Sequence, residues 1–176
     1  MAIEADSVRI TGHWVRQAPG GSDALPAREP PPDNRWQRGD VIDALYLADQ
    51  EQTAWAEWYR HLAEAGLPPM QQMPRELWTW QVDVEVADLS SAERLERVGL
   101  QAPRPGRRAW PRYQALGAEL ATDGAAGLIA QSAARRAGLV LCLFRREADR
   151  PPPGASPIGA PRLIRRPPPP PTGMAT

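Results

Sequence analysis

The sequence predicts one α+β domain, a mixed sheet with flanking helices, followed by a disordered tail. Three observations lead there. Residues 77–86 alternate, with Trp78, Trp80, Val82, Val84 and Val86 on one face and Thr79, Gln81, Asp83 and Glu85 on the other, which is the period of a half-buried strand. The elements read in the order β-β-α-β-α-α-β-β, without the regular alternation of a doubly wound sheet. Ten of the 21 prolines fall in the last 26 of 176 residues, so the domain is assigned to residues 1–149 and the Pro/Arg-rich segment 150–176 to disorder or polyproline II.

Residues 8–18 combine β-branched and aromatic side chains and end at Pro19-Gly20-Gly21, a strand running into a loop. The stretch from Pro19 to Asp40 holds five prolines and three glycines, long for a plain connection, and Trp36 is its anchor. Ala44–Ala48 is a short strand. Asp49 is the expected N-cap of a helix to Ala65, stopped by Gly66 and Pro68-Pro69. After the alternating strand, Ser90 or Ser91 caps a short helix to Val98, and a loop over 102–111 leads to a helix over 112–122. Residues 127–130 form a short strand leading to Ser132, and 139–145 a buried one. The proline-rich tail reads as a passive segment contributing little burial.

Composition excludes several chemistries. All 21 basic residues are arginine, so a Schiff-base or phosphate-loop lysine is absent. Net charge is zero, but residues 1–103 carry −8 and 104–176 carry +8. A basic half fits nucleic acid or an acidic partner, yet no helix-turn-helix or RNA-binding motif accompanies it, so direct nucleic-acid binding is not expected. The single Cys142 forms no internal disulfide. The longest apolar run, around Leu139–Phe144, is too short for a membrane span, and Glu4 and Asp6 do not fit a signal peptide. The expected compartment is the cytoplasm.

His13, His61 and Cys142 are isolated, which speaks against a metal centre, and no nucleophile elbow is present. Catalysis must then rest on carboxylates, arginines, hydroxyls and aromatic faces. On the helix after Asp49, a buried stripe of Ala54, Trp55, Trp58, Tyr59 and Leu62 sets Thr53, Glu57, Arg60 and Glu64 opposite. Glu57 is thus either a solvated residue paired with Arg60 or part of a polar face lining a cleft. Arg35 could pair with Asp33 or Asp40, Tyr46 could be core, and Ser132 could cap the turn at Ala133-Ala134-Arg135.

Several stretches, in order, resemble the RES domain family, named for its Arg, Glu and Ser. They are Asn34-Arg35-Trp36-Gln37, Ala44–Asp49, Thr53-Ala54-Trp55-Ala56-Glu57, Ala87-Asp88-Leu89-Ser90, Gly124–Arg135 and Leu139–Phe144. The resemblance spans residues 8–146. It implies a split sheet like that of ADP-ribosyltransferases, and the toxin of a bacterial toxin–antitoxin pair that consumes NAD⁺ as substrate without a metal. Carried over, the family's arginine is Arg35, its tyrosine Tyr46, its glutamate Glu57, its serine Ser132, and an earlier arginine Arg16. Asn34 stands where glycine is frequent and Gln131 where proline is common.

These residue types suit that chemistry. Arginines grip a pyrophosphate through bidentate, charge-assisted hydrogen bonds, and a tyrosine face stacks on the cationic nicotinamide. A carboxylate stabilises the oxocarbenium-like centre formed when the nicotinamide–ribose bond breaks, and a serine orients ribose or the leaving amide. The expected reaction is hydrolysis or phosphorolysis of that bond. The alternatives are ADP-ribosyl transfer to a protein and a non-catalytic binding role for the basic half. The expected partner is a helix-turn-helix antitoxin covering the cleft.

Overall fold

The structure, a computed structural model of the 176-residue chain, describes residues 5–25, 28–147 and 150–175. Glu4 and the expected boundary at Asp149 lie outside them. Among the described residues, six strands and three α-helices make an α+β fold in the order β1 (Ser7–Pro19), β2 (Asp43–Ala48), α1 (Glu51–Ala65), β3 (Arg75–Leu89), α2 (Ala92–Arg97), α3 (Trp110–Thr122), β4 (Gly127–Gln131), β5 (Leu139–Arg145) and β6 (Ala155–Ile164). No helix among them is long and apolar enough to cross a membrane.

The sheet is built from two three-stranded groups. In one, β3 lies between β1 and β6, antiparallel to both, with an unbroken register from Ser7↔Ala87 to Pro19↔Arg75. In the other, β5 lies between β2 and β4, again antiparallel. They meet where β3 runs parallel to β4 over Ala87↔Leu128 to Leu89↔Ala130, and at the single β1–β2 pair Val15↔Ala48.

Side-chain alternation explains why β2, β4 and β5 are almost wholly apolar. Their odd-numbered residues Leu45, Leu47, Ile129, Leu141 and Leu143 join Trp14, Trp80, Val82, Val84 and Val86 in one core. Their even-numbered residues Leu128, Ala130, Cys142 and Phe144 join Leu95, Leu100, Tyr113 and Leu116 in a second, beneath α2 and α3. Both faces of these strands are therefore buried. On β3, by contrast, Gln81, Asp83 and Glu85 are exposed, as the alternation requires.

Two expectations are corrected. Gln50, not Asp49, is the N-cap of α1, without a side-chain cap bond, because the Asp49 backbone N–H is drawn to the Leu139 carbonyl on β5 at 3.1 Å. The segment expected to be disordered contributes β6, which pairs with β3 from Val82↔Ala155 to Arg75↔Ile164. Its two prolines are accommodated because β6 pairs only with β3, at the sheet edge, and because Pro161 falls in the register shift between Ile158 and Arg162.

Candidate active site

Beyond Val15, β1 continues with β3 alone, and the gap opened beside β2 becomes a cavity of about 450 Å³ with α1 supplying another wall. Arg16, Arg35, Tyr46 and Glu57 all line it. Ser132 reaches the same place through Glu57.

Of the polar face of α1, Glu57 and Arg60 line this cleft, while Thr53 and Glu64 pack beside it against the turn at Gly138 and the loop at Gly106. Thr53 is fully buried, Arg60 nearly so, and the Glu57 side chain is 24% exposed. Glu57 Oε2 accepts from Arg60 Nε at 2.9 Å, and Arg60 donates also to Glu64 at 2.6 Å. Burial works against the Arg60 charge, but Glu57 and Glu64 outweigh it and hold the guanidinium above its ordinary value. Glu57 Oε1 accepts from Ser132 Oγ at 2.6 Å and from the Ala134 N–H at 3.3 Å. Ser132 itself accepts from the Ala134 and Arg135 amides at 3.1 and 3.0 Å, so its hydroxyl hydrogen is left to point at Glu57. It caps its turn and meets the glutamate at once. The turn sits close against α1 because residue 138 is glycine, where a Cβ would lie 2.3 Å from Thr53 Oγ1.

Arg35 is held in a tight turn. The Asn34 and Gln37 backbones pair with each other, the Asn34 side chain accepts the Arg35 N–H at 2.9 Å, and Gln114 donates to the Asn34 and Gln37 carbonyls. Asn34, where the family favours glycine, thus has a local use. Trp36 packs its ring edge-on against Tyr113 and donates its backbone N–H to the Tyr46 hydroxyl at 3.2 Å. Gly117 on α3 lets this turn approach, since a Cβ there would fall 2.1 Å from the Trp36 carbonyl oxygen. The Arg35 guanidinium donates to the Arg104 carbonyl at 2.7 Å and lies over Tyr113, paired with neither Asp33 nor Asp40. Burial, and then Arg60, lower its pKa. Burial, and then Cys142, push the Tyr46 hydroxyl well above its ordinary value, so it stays a neutral phenol.

Sequence reasoning missed much of the cavity wall. Arg28, Arg60, Arg75 and Arg145 line it too, making six arginines against Asp43 and Glu57, with Trp58 and His61 beside them. Arg145 pairs with Asp43 at 3.0 Å, and Arg60 with Glu57 and Glu64. Among the described residues, Arg16, Arg28, Arg35 and Arg75 form no ion pair with a carboxylate. Burial, and then the charges of Arg28, Arg145 and Arg75, depress Arg16 to about 10, and burial with Arg28 does the same to Arg75. Only Arg60 left a signal in the sequence, through its spacing from Glu57 and Glu64. The others come together through strand register and loop path, which no local pattern encodes. Among the described residues, no three metal-ligating side chains converge.

The sequence profile of the RES domain family matches residues 8–160. No curated protein sequence matches the chain. Among solved structures, the fold is similar to a chain in the crystal structure of the M. tuberculosis MbcT–MbcA toxin–antitoxin complex. The TM-score is 0.73 and the identity 22%, over 90% of this chain and 86% of that one.

Proposed function

The chain belongs to the RES domain family, and from that premise we propose that it is an enzyme that cleaves the nicotinamide–ribose bond of NAD⁺. The observation that supports this most is the short hydrogen bond from Ser132 to Glu57, which lie 75 residues apart, at the edge of an arginine-lined cavity.

In this reading Arg16 and Arg35 hold the pyrophosphate, and the surplus positive charge draws the dinucleotide in. The Tyr46 ring stacks against nicotinamide. Glu57 keeps one oxygen on Ser132 and one on Arg60, which fixes the carboxylate beside the ribose before reaction, as transition-state stabilisation requires. The bond between nicotinamide nitrogen and ribose C1′ breaks with its electron pair leaving on nicotinamide, and the positive charge on the ribose is met by Glu57. Water or phosphate then adds at C1′, water losing its proton to solvent. Transfer to a protein acceptor uses the same site.

An enzyme that depletes NAD⁺ acts as a toxin, and its cell needs it blocked. The similar chain from M. tuberculosis is part of a toxin–antitoxin complex. By analogy this chain takes an antitoxin partner, of helix-turn-helix type, that covers the cavity and keeps it inactive in the cytoplasm.

Incubating the folded, partner-free chain with NAD⁺ and quantifying nicotinamide by chromatography tests the proposal. Stoichiometric nicotinamide release is expected. NAD⁺ left intact by protein whose fold is verified by circular dichroism overturns it.

A further inference from the structure

The mechanism above leaves unused the chain after β6, a stretch that lies beyond the part matched by the family profile. It does not trail into solvent. Arg162 at the end of β6 pairs with Glu51 on α1 at 2.5 Å. The Tyr59 hydroxyl, also on α1, donates to the Pro168 carbonyl. Pro168–Pro171 lie beside Gln50, Gln52 and Trp55 at the start of α1. Met174 then forms an antiparallel bridge with Arg135, and the Ala175 N–H donates to the Ala134 carbonyl at 2.7 Å. The proline run suits such a path, because each ring fixes φ and little backbone freedom is lost in laying it down.

The last contact matters because of which peptide group it holds. The Ala134 carbonyl and the Arg135 N–H belong to one planar unit. Ala175 fixes its oxygen, and its N–H donates to Ser132 Oγ, whose hydrogen goes to Glu57 Oε1. A continuous line of three hydrogen bonds thus runs from the strap to the carboxylate. Each bond polarises the next, and the rigid peptide plane leaves Ser132 one direction in which to donate.

We propose that residues 165–175 form a strap that positions the Ser132–Glu57 pair for reaction, through the Ala175 N–H and the 134–135 peptide. The catalytic consequence rests on the reading of Glu57 given above, whereas the hold on the Ser132 turn does not. Ala175 is a positioning residue, since it acts through the hydrogen bond of its N–H to the Ala134 carbonyl. The expectation of a passive tail is replaced accordingly.

The test uses the full chain carrying Ala175→Pro, which removes the N–H and leaves β6 and the proline run intact, with Ala175→Gly as the variant that keeps it. Hydrogen–deuterium exchange over residues 132–138 should quicken by about tenfold in Ala175→Pro, the loss of one restraining hydrogen bond, while β3 and β5 exchange unchanged. In the same protein kcat for nicotinamide release should fall by about tenfold with KM for NAD⁺ unaltered, and Ala175→Gly should match the parent. Unchanged exchange over 132–138 in a folded Ala175→Pro chain overturns the strap. Quickened exchange with undiminished kcat overturns its positioning role. If the parent itself releases no nicotinamide, the NAD⁺ reading has failed, and exchange alone still decides whether the strap holds the turn.

Discussion

Replacing Glu57 with glutamine separates chemistry from architecture. The carboxylate accepts three hydrogen bonds, from Ser132 at 2.6 Å, Ala134 at 3.3 Å and Arg60 at 2.9 Å. Glutamine has one acceptor oxygen, so its NH₂ must face either Arg60, which only donates, or Ser132, already an acceptor for two amides. One charge-assisted bond is lost, for which buried cases run to about 1.5–3 kcal/mol. Arg60 retains Glu64, and Glu57 is partly exposed, which brings the expected loss to about 1–2 kcal/mol. For a chain of this size that lowers Tm by about 2–8 °C, leaving the protein folded at room temperature. Turnover should fall much further, on the order of 10²–10³, because the removed charge faces the transition state. NAD⁺ affinity should stay within about threefold, since the pyrophosphate contacts remain. Melting by circular dichroism, NAD⁺ titration and nicotinamide release read the three quantities separately. A folded variant with kcat close to the parent's refutes the assignment of Glu57.

Arg35→Lys keeps a charge but loses the fork that serves the Arg104 carbonyl and the Tyr113 face, so NAD⁺ affinity measured by calorimetry should weaken about tenfold. Arg166→Lys, at an exposed position, should leave it unchanged. Millimolar pyrophosphate should raise the Tm of the partner-free chain by relieving repulsion among Arg16, Arg28 and Arg75, and the shift should shrink as salt rises. A salt-independent or absent shift in thermal melts counts against an anion site there. Gly138→Ala drives a Cβ into the buried Thr53, which should destabilise by about 1–3 kcal/mol and reduce turnover by pushing the Ser132 turn off α1. The double variant with Thr53→Ala should recover both, as a melting and activity cycle will register.

What the sequence disclosed and what it hid divide along physical lines. Alternation exposed β3, and the apolar run of β5 announced a buried strand, because those patterns are local, whereas the burial of β4 on both faces came only with its partners. The tail was misread because proline content argues against helices and central strands, whereas β6 is an edge strand fixed by partners some 80 residues earlier. Helical periodicity placed Glu57 and Arg60 opposite the apolar stripe but could not say that this side faces a cleft, since that depends on where β1 leaves β2. The family pattern singled out Arg16, Arg35, Tyr46 and Glu57, which line the cavity, and Ser132, which donates to Glu57. It gave no hint of Arg28, Arg75 or Arg145, whose convergence follows from strand register and loop path alone.

The most direct measurement is a crystal structure of the Glu57→Gln chain with NAD⁺ at saturating concentration. The pyrophosphate is expected between Arg16 and Arg35, the nicotinamide against Tyr46, and ribose C1′ next to residue 57. NAD⁺ bound elsewhere, or bound in the cavity with its ribose turned away from residue 57, contradicts this placement.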